Sequence, residues 1–167
     1  MQRPLSEAPA LLSRLAGAPA RLEDILFNIQ EPLLRRKHQT LDGKLKWSAL
    51  DHAGHLGDLE RLHYRRVREI LDGADTLSAA DMSNAATEEA HHNRQPIGPL
   101  LERFRTERTT LVNFLYTLQP VQFGLSAVHP RLGAPMRIID LCEFYAEHDD
   151  HHLATIRELI WNPQVYR

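Results

Sequence analysis

Histidine is the residue type that stands out: the chain carries ten, and imidazole is both the commonest metal ligand and the side chain that titrates nearest neutrality. His148 and His152 stand four residues apart in the run EHDDHH. On a helix that spacing places two imidazoles on one face, within reach of one cation. The competing reading is a pair of hydrogen-bonded core histidines. A third ligand would come from the segment that carries His52, His55 and His63. Spacing does not choose among these; the helical wheel slightly favours His52 and His63 and puts His55 at the edge of the apolar arc.

Three charged residues fall where apolar ones are expected. Asp149 shares an arc with Ile138, Leu141, Tyr145, Ile156 and Leu159, together with His148 and His152, whereas Glu147, Asp150, His151 and Glu158 fall on or beyond its edge. Arg108 lies within the arc of Leu100, Phe104, Leu111, Leu115 and Leu118, and Glu60 within that of Ala53, Leu56, Tyr64, Val67 and Leu71. A guanidinium cannot shed its charge, and burying it unpaired costs several kcal/mol or more. Arg108 is therefore expected to bridge Glu60, Asp149 or both, as a network that also orients a ligand imidazole. Glu60-x-x-His63 and Asp149-x-x-His152 have the spacing of a di-iron carboxylate bundle, but the charge of Arg108 opposes two cations there. Glu88-x-x-His91 and the adjacent His92 fall in a polar stretch and read as solvated. No G-x-S-x-G is present; Cys142 reads as a packed hydrophobe, and Trp47 and Trp161 as packing anchors at helix ends.

The elements that must position these residues are helices. Periodicity gives a first block over residues 5–16 that ends at Gly17 and continues from Pro19 to about residue 29, with Pro32 bending or ending it. Ser48 with Asp51 three residues on reads as a capping box, opening a helix that runs to Leu71 and stops at Asp72-Gly73. Residues 74–94 form a polar connection with at most one short turn. A third helix enters through residues 96–99 and ends near Leu118, before Pro120. A loop over 119–135 precedes a fourth helix over 136–161. No strand alternates and no repeat occurs. The expectation is an all-α fold, a four-helix bundle with long crossover loops, as a single domain over residues 1–167.

Composition bounds the rest. With 167 residues, 43% hydrophobic and 25% charged, one core can form without staples. A single cysteine excludes an intramolecular disulfide framework and points to a reducing cytoplasm. A net charge of −2 supplies no global field for nucleic acid, and the basic stretches at 33–38 and 65–68 are short. Glu7 and Arg14 interrupt any signal-peptide core, and polar residues interrupt the uncharged stretch 109–130, so neither a secretory leader nor a membrane partner is expected.

Three stretches now carry a resemblance: WSALDHAGHLGDLE at 47–60, Arg108, and HPRLGAPMRIIDLCEFYAEHDDHHLATI at 129–156. Together they resemble the DinB-like family of small bacterial four-helix-bundle proteins, which are metal-dependent enzymes, over the second helix onward, and the first helix with Pro19 is similar too. The resemblance implies that the histidine eight residues after the tryptophan and the two of the final H-x-x-x-H bind one divalent ion. Here these are His55, His148 and His152, so that His55 takes precedence over His52 and His63. It further implies zinc or nickel as the ion, a small-molecule substrate, and a homodimer. The implied activity is a thiol-dependent S-transfer using a low-molecular-weight thiol, or a hydrolysis. Glu60, Arg108 and Asp149 would support the ligands, and Tyr145 and His129 would line the pocket. The rival is a non-enzymatic dimeric bundle whose histidine site is structural or vacant.

Overall fold

A computed structural model of the chain describes residues 3–39 and 42–161. Four long helices, α1 (Ala8–Leu26), α3 (Ala49–Leu71), α5 (Ile97–Tyr116) and α6 (Ile138–Trp161), are joined by connections that carry short α2 (Glu31–Leu34), short α4 (Ala85–Ala90) and the strands β1 (Ser126–His129) and β2 (Ala134–Arg137). α3 packs on α5 and α6, and α1 closes the ring against the same two. Successive helices α1 and α3 are thus diagonal, so the connections cross the ends of the bundle as expected. Among the described residues no helix is long and apolar enough to cross a membrane.

The starts and stops follow local chemistry. Ser48 Oγ accepts from the backbone N–H of Asp51, and the Asp51 carboxylate accepts from the Ser48 N–H at 3.0 Å, the reciprocal box that opens α3. Gly73, at φ +80°, turns the chain out of that helix. Asn28, at φ +57°, turns it after α1.

α1 corrects the expected interruption, because it runs unbroken through Gly17 and Pro19. A proline inside a helix offers no N–H to the carbonyl four residues before it. That carbonyl belongs to Leu15, and it accepts instead from Nη1 of Arg108 at 3.1 Å. The group that would break the helix thereby leaves an acceptor for the buried charge. Pro32 sits in the first turn of α2, where a missing N–H costs nothing.

The loop over 119–135 also differs from expectation, since it contains an antiparallel hairpin in which Val128 faces Pro135. Val128 directs its own N–H to Asp75 O at 2.8 Å and accepts from Leu77 N at 3.0 Å. Its hydrogen bonds therefore point away from Pro135, which needs no N–H at that position. Gly133, at φ +62°, closes the turn. The connection over 74–94 folds more than expected: α4 is followed by a 3-10 turn over His92–Arg94, docked on α3.

The core falls into two apolar clusters. One gathers Leu11, Leu15, Val67, Leu111, Leu115 and Leu141, and the other Leu22, Leu56, Leu100, Phe104, Leu153 and Ile156. On α3, α5 and α6 the boundary between them is occupied by Glu60, Arg108 and Asp149 respectively. A polar layer thus crosses the bundle at mid-height.

Candidate metal centre

Arg108, 1% exposed, has five N–H groups and five acceptors. Nε and Nη2 donate to the two oxygens of Glu60 at 2.9 and 2.6 Å. Nη1 and Nη2 donate to the two oxygens of Asp149 at 2.5 and 3.0 Å, and Leu15 O takes the fifth. The bridge expected from sequence is present to both acids. Burial pushes the Glu60 carboxyl up, but the adjacent Arg108 charge outweighs it and holds the group at about 2. With every carboxylate oxygen of Glu60 and Asp149 bonded to a cation, these acids are not disposed to hold a pair of irons.

The histidines flank Asp149 on α6, His148 one residue before it and His152 three residues after. His55 of α3 and His148 and His152 of α6 each bring a ring nitrogen to within 4.8 Å of the others, and Nε2 of His148 and of His152 are 3.1 Å apart. Two nitrogens that are each ~2 Å from one ion lie about 3 Å apart, so the pair fits a shared cation. Burial lowers His55 to about 4 and His148 to about 3, and pushes His152 down as well. All three are neutral at pH 7, the state that carries a lone pair for a metal. Nδ1 of His148 is buried without a hydrogen-bond partner.

The tautomer of His55 is set from outside the cluster. Its Nδ1 is 3.0 Å from Thr87 Oγ1, and the Thr87 hydroxyl gives its proton to Asp58 at 2.9 Å. The hydroxyl can then only accept, so Nδ1 of His55 is the donor and Nε2 is left bare. Asp58 also accepts from Arg103 at 2.7 Å and pairs with Nε2 of His92 at 2.8 Å. His92 is therefore not solvated as expected but 1% exposed. It lies over Gly54, where a Cβ would come within 2.1 Å of its ring.

The remaining candidates separate. His52 is not a member of the triad; its Nδ1 contacts Nδ1 of His152 at 2.8 Å from behind. His63 turns away and stacks on Tyr145 at 3.7 Å. Tyr145 is fully buried against it and does not line the cavity; its neighbour Phe144, one residue round the helix, does. His129 lines the cavity. Trp47 anchors the start of α3 and also covers the cluster, with its ring 4.8 Å from that of His55. Its indole N–H donates to Glu88, which is thereby engaged rather than merely solvated. Cys142 is buried in the core and its thiol is pushed up to about 12, whereas Trp161 is exposed.

Sequence reasoning missed Asp58, Thr87, His92 and the cavity beside the cluster. That cavity has a volume of about 330 Å³ and extends from His55 and His148 to Arg66, His129 and Arg131, which is the size of a small-molecule site. The one available signal was Gly54, a helix-interior glycine that marks the close approach of another segment.

A family model described as the DinB superfamily matches residues 14–156. Among solved structures the chain is similar to YfiT from Bacillus subtilis, described as a probable metal-dependent hydrolase with an unusual four-helix bundle topology. The match has 21% sequence identity and a TM-score of 0.81, and covers 95% of this chain and 88% of that one. At that identity the likeness shows the fold. No curated protein matches the chain significantly.

Proposed function

The chain belongs to the DinB superfamily, and on that premise we propose that it is a divalent-metal-dependent enzyme acting on a small molecule, with His55, His148 and His152 as the metal ligands. The observation that carries this reading is the convergence of three neutral imidazoles, two buried and that of His148 half-buried, beside a cavity that His55 and His148 line. A divalent ion held by three nitrogens supplies Lewis acidity and makes a coordinated water or thiol nucleophilic at neutral pH. The chain's own part is to keep the ligands bare and still. Asp58 acts through Thr87 to hold the His55 tautomer, and Arg108 clamps α3 and α6 together through Glu60 and Asp149.

The nucleophile is water if the reaction is a hydrolysis, a reading supported by the description of YfiT, and a low-molecular-weight thiol if it is the S-transfer that the family resemblance implies. Zinc or nickel suits an all-imidazole donor set.

The test is metal content by mass spectrometry on tag-free protein supplemented separately with zinc, nickel, manganese and iron. Wild type is expected to hold about one equivalent of ion per chain, with His55→Ala, His148→Ala and His152→Ala each losing it and Thr87→Val binding about tenfold or more weaker. Two equivalents would favour a dinuclear site. No bound ion under any supplement would overturn the proposal.

A further inference from the structure

The cavity has a second polar end. Along α3 the residues His55, Leu59, Leu62, His63 and Arg66 recur on one stripe and form its wall, which places Arg66 roughly 16 Å along the helix axis from His55. Arg66 is 2% exposed. Its Nε donates to Ser78 O at 2.9 Å and the Tyr145 hydroxyl lies beside it, but Nη2 is buried with no partner.

Among the described residues no carboxylate lies within 4 Å of the Arg66 guanidinium; the neighbouring acids keep their charge and bond to neutral donors instead. Glu69 accepts from the Ser78 N–H and hydroxyl, and Asp81 from Ser83 and from the Ala85 N–H. Arg66 therefore differs from Arg108, the other fully buried arginine of α3 and α5, which faces two carboxylates. A buried guanidinium without a counter-ion is costly. Arg131, exposed on the turn between β1 and β2, adds a second positive charge at the same end, its Nη1 3.8 Å from Met82 Sδ. His129 between them is pushed towards its neutral form, first by burial and then by the positive fields of Arg66 and Arg131, and an imidazole carries no negative charge in either form. Between the two ends Leu59, Leu62, Ala79, Met82 and Phe144 give the wall an apolar stretch, while Asp81, bonded to Ser83 and Ala85, and Asn84 also border the cavity.

We propose that the Arg66 end of this cavity holds the carboxylate of an apolar carboxylic acid, with Arg131 at the rim and the hydrocarbon body lying along the Leu59–Leu62 wall. Given the metal-dependent function proposed above, the reacting group of that acid would lie at the His55 and His148 end. The planar fork of arginine suits a carboxylate, and one buried guanidinium matches one negative charge.

The test is calorimetric titration of the full chain with 3-phenylpropanoate, 3-phenylpropanamide and inorganic phosphate, each on chelator-treated and on zinc-supplemented protein. The carboxylate is expected to bind in both states. Its affinity should fall by about tenfold or more in Arg66→Gln, as for loss of a charge-assisted pair, fall less in Arg131→Gln, and be partly retained in Arg66→Lys. The amide should bind weakly. Equal binding of amide and acid, preference for inorganic phosphate, or affinity unchanged in the Arg66 and Arg131 variants would overturn the assignment. Carboxylate binding that requires zinc and ignores Arg66 would place the anion on the ion, which leaves the metal reading standing and this one not. Arg66-dependent binding in a chain that holds no metal would do the reverse. Should Arg66→Gln fail to fold, Arg66→Lys and Arg131→Gln carry the comparison.

Discussion

Truncating Arg108 strands two buried carboxylates and a helix carbonyl at once, because each of its donors is matched to one acceptor. Arg108→Ala is expected to cost about 3–5 kcal/mol in urea unfolding, whereas His151→Ala, at an exposed position on the same histidine-rich run, should stay within about 0.5 kcal/mol. Equal midpoints for the two variants would remove the argument for a buried network. Glu60 makes the network pH-sensitive. Its folded pKa, about 2, lies below the ordinary 4.5, so its stabilisation is complete above pH 4.5 and is lost as pH falls through 2. The amount is on the order of 3 kcal/mol. Glu60→Gln should be less stable at pH 7 and lose less stability than wild type between pH 4.5 and 2, as read from denaturant midpoints. These three charged residues were legible in the sequence because a charge within an apolar arc has few ways to be satisfied. The third histidine was not legible from the wheel, which sets His52 and His63 about 20° apart within the apolar arc and leaves His55 roughly 60–80° away at its edge. What orients His55 is Thr87, 32 residues away, which no local pattern reports.

Elements show the same division between local and distant causes. The Ser48–Asp51 box and the Gly73 stop were readable because both partners lie within a few residues. The continuity of α1 was not, because what makes Pro19 acceptable is an arginine from α5 that uses the carbonyl it frees. The β1–β2 hairpin was hidden for a related reason. Its strands are four residues long, and the hydrogen bonds of Val128 go to residues 75–77. The segment over 85–94 depends on Gly54, and this gives a sharp test. Gly54→Ala drives a methyl into the His92 ring and is expected to cost about 2 kcal/mol. α3 itself should remain intact, because alanine favours a helix more than glycine does. Amide exchange should accelerate across residues 85–94, where Thr87 and His92 hold the Asp58 relay. Acceleration confined to α3 would contradict the packing described.

At the scale of the whole molecule, the polar layer separates two apolar clusters and draws one participant from each long helix: the Leu15 carbonyl from α1, Glu60 from α3, Arg108 from α5 and Asp149 from α6. The fold and the layer follow from the same fact, that four amphipathic helices each carry an interruption at matching height. The layer also bears on the order in which the protein can be made. While the chain emerges from the ribosome, α1, α3 and α5 appear first, and any bundle they form must keep Arg108 with one carboxylate instead of two and leave the face awaiting α6 open to water. Only after α6 has been synthesised can the charge be balanced and both clusters close. The native arrangement is therefore completed only once translation has passed Ile160, the last α6 residue of the second cluster.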